Sequence, residues 1–76
     1  MRRERVESTT MKSVGYAARE RILEIEFDSG AIYQYLDVPA KIHASLMRAE
    51  SKGRYFNDEI REIYPYEQVR GTSRAW

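Results

Sequence analysis

Between Ser51 and Tyr66 the chain reads SKGRYFNDEIREIYPY, which sets Lys52, Arg54 and Arg61 among Tyr55, Phe56, Tyr64 and Tyr66. Cations beside aromatic rings are suited to nucleic acid: an ammonium or guanidinium neutralises a phosphate, and every base offers a flat π face to stack on. Lys52 and Arg54 stand near the start of a helix-like pattern, with Tyr55 beside them and Arg61 further along. Lys52, Arg54, Tyr55 and Arg61 are therefore the candidate RNA-binding residues. Asp58, Glu59 and Glu62 count against that chemistry, because they bring carboxylates within a Debye length of any phosphate held there. A capped helix with a solvated charged fringe accounts for the same residues with no ligand, and is the plainer reading. Tyr64 and Tyr66, on either side of Pro65, divide the same way. They could stack on bases, or pin the chain as it returns across the sheet, and the second role is preferred.

Signals for catalysis are sparse. His43 is the single histidine and sits beside Ile42 in a helix-like segment, where a boundary or exposed position suits it better than the role of a base. Glu59 and Glu62 at i and i+3, and Asp58 and Glu62 at i and i+4, have the spacing of neighbours on one helix face, which a solvated charged surface also produces. The chain has no histidine pair, glycine-rich phosphate loop or nucleophile elbow. The expectation is a non-catalytic protein without cofactor or metal.

The elements that position these residues follow from hydrophobic period. MKSVGYA alternates with Val14 and Tyr16 on one face and suggests a strand broken or bulged near Gly15. RILEIEF is the clearest strand, with Leu23, Ile25 and Phe27 on one face and Ile22, Glu24 and Glu26 on the other. DSG and the alternating AIYQYLDV then signal a hairpin. If Asp28 and Ser29 make a type I turn with Gly30 left-handed, Phe27 pairs with Ala31, Ile25 with Tyr33 and Leu23 with Tyr35, and both tyrosines join the core face. A two-residue Ser29-Gly30 turn would slip the register by one and move them to the face of Glu24 and Glu26. The first register is preferred and the second stays open.

Pro39 suits the first position of a helix near residues 39–50, with Ile42, Leu46 and Met47 as its apolar stripe. Gly53 either ends that helix or lies in the first turn of the next, capped by Ser51. Phe56, Ile60, Ile63 and Tyr64 repeat the helical spacing over residues 54–63, with Phe56, Ile60 and Ile63 facing inward, until Pro65 ends the pattern. The fold class is α+β: a three-stranded antiparallel meander near residues 11–36, packed against two short helices. Its core should include Val14, Leu23, Ile25, Phe27, Ile42, Leu46, Phe56 and Ile60.

The order KSVGY, LEIEFDSGAIYQYLDVP, a short helix, then SKGRYFNDEIREIYPYEQV resembles the KTSC domain over residues 11–69. The Tyr-x-Tyr of that family falls on Tyr33 and Tyr35, its valine and proline on Val38 and Pro39, and its Ser-x-Gly-x-x-Phe-Asn on Ser51, Gly53, Phe56 and Asn57. The family occurs at the C-terminus of some lysyl-tRNA synthetases and as free-standing bacterial proteins, and the resemblance implies a connection with RNA.

At 76 residues the chain has room for one modest core. Thirteen Lys and Arg against twelve Asp and Glu leave a formal charge of +1, so any basic surface depends on local segregation. The absence of cysteine suits a reducing, cytoplasmic setting, and no apolar run is long enough for a membrane span. Residues 1–10, with Arg2, Arg3 and Arg5, read as a flexible leader, and residues 70–76 as a tail carrying Arg70, Arg74 and an exposed Trp76. The partner is expected to be RNA, tRNA-like or single-stranded. The alternative is a protein that docks through the sheet edge or an aromatic surface.

Overall fold

Leu23, Ile25 and Phe27 do alternate with Glu24 and Glu26 in a strand, and the turn that follows sets the register of the sheet. In the computed structural model, which describes residues 2–70, the chain runs β1 (Arg3–Arg5), β2 (Met11–Ala17), β3 (Ile22–Phe27), β4 (Ile32–Tyr35), α1 (Ala40–Arg48), α2 (Lys52–Glu59) and β5 (Tyr66–Arg70). Gly30 adopts φ 97°, donates its N–H to the Phe27 carbonyl at 2.9 Å, and leaves Phe27 to donate to the Ala31 carbonyl at 2.9 Å. A side chain at that φ would be strained. The resulting three-residue turn pairs Leu23 with Tyr35 and Ile25 with Tyr33, the preferred register.

The sheet is an antiparallel meander of five strands in the order β1-β2-β3-β4-β5, which corrects the expected three. One added strand lies in the segment read as a flexible leader: Arg3, Glu4 and Arg5 pair with Gly15, Val14 and Ser13. The other is the return after Pro65, where Tyr66 pairs with Tyr35 and Gln68 with Tyr33. Neither segment has a hydrophobic period, because each is an edge strand held by its neighbour and not by a buried face of its own. Gly15 is not a bulge. A Cβ there would stand 2.6 Å from the Arg2 carbonyl oxygen, so glycine lets β1 approach. The irregularity lies earlier, between Met11 and Ser13. The expectation for Trp76 falls outside the described residues.

Both helices cover the face of the sheet that carries Leu23 and Ile25. α1 begins after Pro39, which stands at the cap, one position earlier than expected. α2 begins at Lys52 because the Ser51 hydroxyl accepts from the Arg54 N–H at 3.3 Å. Gly53 thus lies in its first turn, where a Cβ would stand 2.4 Å from Thr10 Oγ1. The helix stops at Glu59, well before Pro65 requires it. Ile60 and Arg61 both donate their N–H to the Phe56 carbonyl, at 3.0 and 2.9 Å. Ile60 stays fully buried, but Ile63 swings out to 57% exposure, against the expectation that it faces inward. The i+7 spacing that aligned it with Phe56 needs a helix that no longer exists there.

The core contains Val14, Leu23, Ile25, Leu46, Phe56 and Ile60 as expected, with Phe27 and Ile42 half-buried on its margin. Met11, Tyr35 and Val38 are buried with them. The opposite face of the sheet is organised around a carboxylate. Arg3 donates from Nη1 to Glu24 Oε2 and from Nε to Ser13 Oγ at 2.9 Å. Gln34 donates to Glu24 Oε1 at 2.8 Å, and Ser13 to Glu26 Oε1 at 2.8 Å. Burial pushes the Glu24 carboxyl up, but the hydrogen bonds from Gln34 and Arg3, together with the Arg3 charge, outweigh it and hold the pKa below the usual glutamate range.

Two stability outcomes follow from this packing. Phe56→Ala is expected to cost about 3 to 5 kcal/mol, enough to unfold much of a domain this small, as read by chemical denaturation. Glu24→Gln should cost about 1.5 to 3 kcal/mol near neutral pH, the scale of hydrogen bonds to a charged group. Because the folded pKa of Glu24 is depressed, its contribution is fully present above about pH 4.3 and disappears as the pH falls through the folded value. Denaturation midpoints of wild type and variant should therefore converge in acid; a constant gap would show that the ionised carboxylate is not what the network stabilises.

Candidate nucleic-acid interface

The side chains singled out in the sequence do not gather on one face. Lys52 is half-buried, and its Nζ donates to the Ala49 carbonyl at 3.0 Å, where α1 ends. Arg54 is exposed and lies 3.9 Å from Asp58 Oδ2 in an i,i+4 pair open to solvent, a contact of little energetic weight. The ring of Tyr55 packs against the core and is half-buried. Arg61 stands beyond the other end of α2, an eight-residue helix about 12 Å long. Arg3 is committed to Glu24 on the opposite face of the sheet, and Arg5 lies beside Lys12 and Glu26.

What the fold does assemble is an aromatic groove of about 610 Å³, with Phe27, Tyr33, Tyr35 and Phe56 along it, Tyr66 and Gln68 on the β5 side and Arg61 and Glu62 at the rim. Each contribution has a local cause. The hairpin register puts Tyr33 and Tyr35 on the core face of β4. The β4–β5 pairing sets Tyr66 opposite Tyr35. The early end of α2 turns Arg61 and Glu62 back toward the same opening. Ring centroids lie 5.4 Å apart for Tyr33 and Tyr66, 5.6 Å for Tyr35 and Tyr66 and 6.3 Å for Tyr33 and Tyr35. Such spacing is that of rings in mutual contact, so they form a continuous apolar floor.

Tyr35 is buried while Tyr66 keeps 56% exposure, which gives the floor one open ring. Tyr64 packs half-buried against the core, and Leu36 donates to the Pro65 carbonyl at 2.8 Å. The tyrosines around Pro65 therefore divide the work: the Tyr64–Pro65 step pins the return and Tyr66 remains available. Among the four residues named from the sequence, only Arg61 lines the groove. Tyr33, Tyr35 and Tyr66 were read there as structural. Their signal was the Tyr-x-Tyr alternation itself, which becomes a site only when β5 arrives alongside.

His43 lies elsewhere. Its ring stacks on Tyr16 with centroids 4.8 Å apart and planes 12° from parallel, in a cleft with Arg2, Arg3 and Glu4. Burial pulls its pKa below the ordinary histidine value, more strongly than the Glu4 charge raises it. The Tyr16 hydroxyl donates to the Val38 carbonyl at 2.6 Å, so this stack ties β2 to the start of α1.

Comparison with known proteins gives a consistent family. The family model of the KTSC domain matches residues 7–64. A protein of Stutzerimonas stutzeri is 44% identical over 70 residues, which span 91% of this chain and 99% of that protein. A lysine–tRNA ligase of Nostoc punctiforme is 38% identical over 63 residues, 83% of this chain but only 11% of the ligase. The crystal structure of a KTSC domain protein from Yersinia pestis superposes with a TM-score of 0.88 at 38% identity, covering 91% of this chain and 97% of that one. With a family match over most of its length and full-length relatives of the same fold, the chain belongs to the KTSC domain family.

Proposed function

We propose that this domain is a non-catalytic accessory module that binds RNA through unpaired or single-stranded nucleotides laid into the aromatic groove. The observation that carries the reading is the open ring of Tyr66, continuous with Tyr33 and Tyr35 and bordered by the Arg61 guanidinium. A base stacks on such a floor at little cost, and the adjacent cation meets the phosphate that accompanies it. The lysine–tRNA ligase relative, an enzyme named for tRNA, carries this domain as a small part of its length, which supports an accessory role. Lys52 and Arg54, at the far end of α2, reach phosphates only on a strand long enough to follow the helix, with Tyr55 as a secondary platform. Glu62 at the rim keeps affinity modest and strongly dependent on salt. The module acts by binding alone, in the cytoplasmic setting that a cysteine-free chain suits. A second reading has its own observation: β5 is the last strand of the sheet and exposes Tyr66 on the groove face and Val69 on the opposite face, near Glu24 and Gln34, an edge on which a partner protein could add a strand.

The test is a titration of the full chain with a pool of short single-stranded and structured RNAs at two salt concentrations, followed by amide chemical-shift mapping. Shifts are expected around Ala31, Glu62 and Gln68. Tyr66→Ala should weaken binding by about 1 to 3 kcal/mol with the salt slope nearly unchanged, and Arg61→Ala should flatten that slope by about 0.7, the share of one phosphate on a single strand. If no RNA perturbs the groove at low salt, the RNA reading fails and docking of a protein along β5 takes its place.

A further inference from the structure

Tyr33, Tyr35 and Tyr66 bring more than rings to the groove. Tyr16 uses its hydroxyl inside the fold, on the Val38 carbonyl at 2.6 Å. The hydroxyls of Tyr33, Tyr35 and Tyr66 have no such partner among the described residues. Tyr35 is only 4% exposed, no buried side-chain oxygen is left unsatisfied among the described residues, and Tyr35 lines the groove together with Tyr33, Tyr66 and Arg61. Three phenols in mutual ring contact thus share one opening with the Arg61 guanidinium, whose Nη1 also donates to Asn57 Oδ1 at 3.5 Å, and with the Glu62 carboxylate at the rim. From this geometry we infer that the groove contains a phosphate site, in which the hydroxyls of Tyr33, Tyr35 and Tyr66 and the guanidinium of Arg61 hold the phosphate of a nucleotide whose base stacks on the adjoining rings. The inference rests on the RNA reading above and adds to it the group that is recognised and the atoms that recognise it.

Two physical points favour phosphate. A terminal phosphate presents three strong acceptor oxygens and an internal phosphodiester two, set tetrahedrally about phosphorus. Either arrangement lets phenol donors and a guanidinium fork approach from different directions, as the planar pair of a carboxylate does not. The donors also keep their protons. Burial, reinforced by the neighbouring phenols of Tyr33 and Tyr66, pushes the Tyr35 hydroxyl well above the usual tyrosine range despite the pull of Arg61. It therefore keeps its proton and can donate at any physiological pH.

The experiment compares four probes by chemical-shift titration of the full chain: adenosine, adenosine 5′-monophosphate, the dinucleotide ApA, and N-acetylphenylalanine as a ring with a carboxylate. A hydrogen bond to a charged group is worth on the order of tenfold to a hundredfold in affinity, so the monophosphate is expected to bind at least about tenfold more tightly than adenosine. Tyr35→Phe, which removes one hydroxyl and keeps the ring packed, should bring the monophosphate down toward adenosine and leave adenosine itself unchanged. Arg61→Ala, an exposed change, should do the same, while Tyr66→Ala weakens both ligands. Binding of ApA as tight as the monophosphate identifies an internal phosphodiester as the group held; a monophosphate that binds much more tightly identifies a terminal phosphate. Equal affinity for adenosine and its monophosphate, or full retention of the difference in Tyr35→Phe, overturns the phosphate site and leaves the RNA reading standing if oligonucleotides still shift the groove. N-acetylphenylalanine binding more tightly than the monophosphate overturns both and assigns the groove to peptides.

Discussion

The left-handed conformation at Gly30, with its N–H on the Phe27 carbonyl, decides which face every side chain of the central hairpin occupies. A strand alternates with a period of two, so a slip of one residue would exchange the faces completely. With three residues in the turn, Tyr33 and Tyr35 join Leu23 and Ile25 beneath the helices, while Gln34 stands opposite Glu24 on the other face. The aromatic groove and the polar network are therefore two results of one turn. Neither would survive the alternative pairing, because Glu24 would lose Gln34 and the groove would lose its floor.

The two faces of the sheet are stabilised in different ways. Beneath the helices, apolar side chains leave water and their burial is the dominant favourable term. On the far face Glu24 is 7% exposed and would be costly there without partners. Arg3 and Gln34 supply hydrogen bonds to its two oxygens, which makes the edge strand β1 a requirement of the charge it covers. Gly15 permits that approach by having no side chain to obstruct the Arg2 carbonyl. The charge-rich start of the chain is thus part of the sheet for electrostatic reasons.

The groove depends on where α2 stops. Had the helix run on toward Pro65, Ile63 would continue the apolar stripe and Arg61 would lie along the helix surface, away from Tyr33 and Tyr35. Termination at Glu59, with two N–H groups sharing the Phe56 carbonyl, releases Ile63 to solvent and brings Arg61 to the rim. One backbone event therefore trades a buried isoleucine for a cation beside three tyrosines. The side chain given up is affordable because Ile60 still fills the core.

Local pattern in the chain was sufficient for the elements that own a hydrophobic face. The alternation of Leu23, Ile25 and Phe27 and the stripe of α1 express their structure within a few residues, where propensity and burial agree. The Asp28–Gly30 turn and the Ser51 cap, by contrast, each admit a second local reading, and the β3–β4 register and the start of α2 at Lys52 decide between them. Legible too were most of the core and the family, carried by Tyr33, Tyr35, Ser51, Gly53, Phe56 and Asn57. What the tertiary structure alone decided involves partners distant in sequence. β1 and β5 are strands because β2 and β4 offer them hydrogen bonds, and an edge strand needs no hydrophobic period of its own. Likewise Arg61 and Tyr66, read from the sequence as part of a charged fringe and an anchored return, meet Tyr33 and Tyr35 only after α2 has stopped and β5 has paired, since proximity across a sheet is a property of register and topology and is not written in the spacing of any single segment.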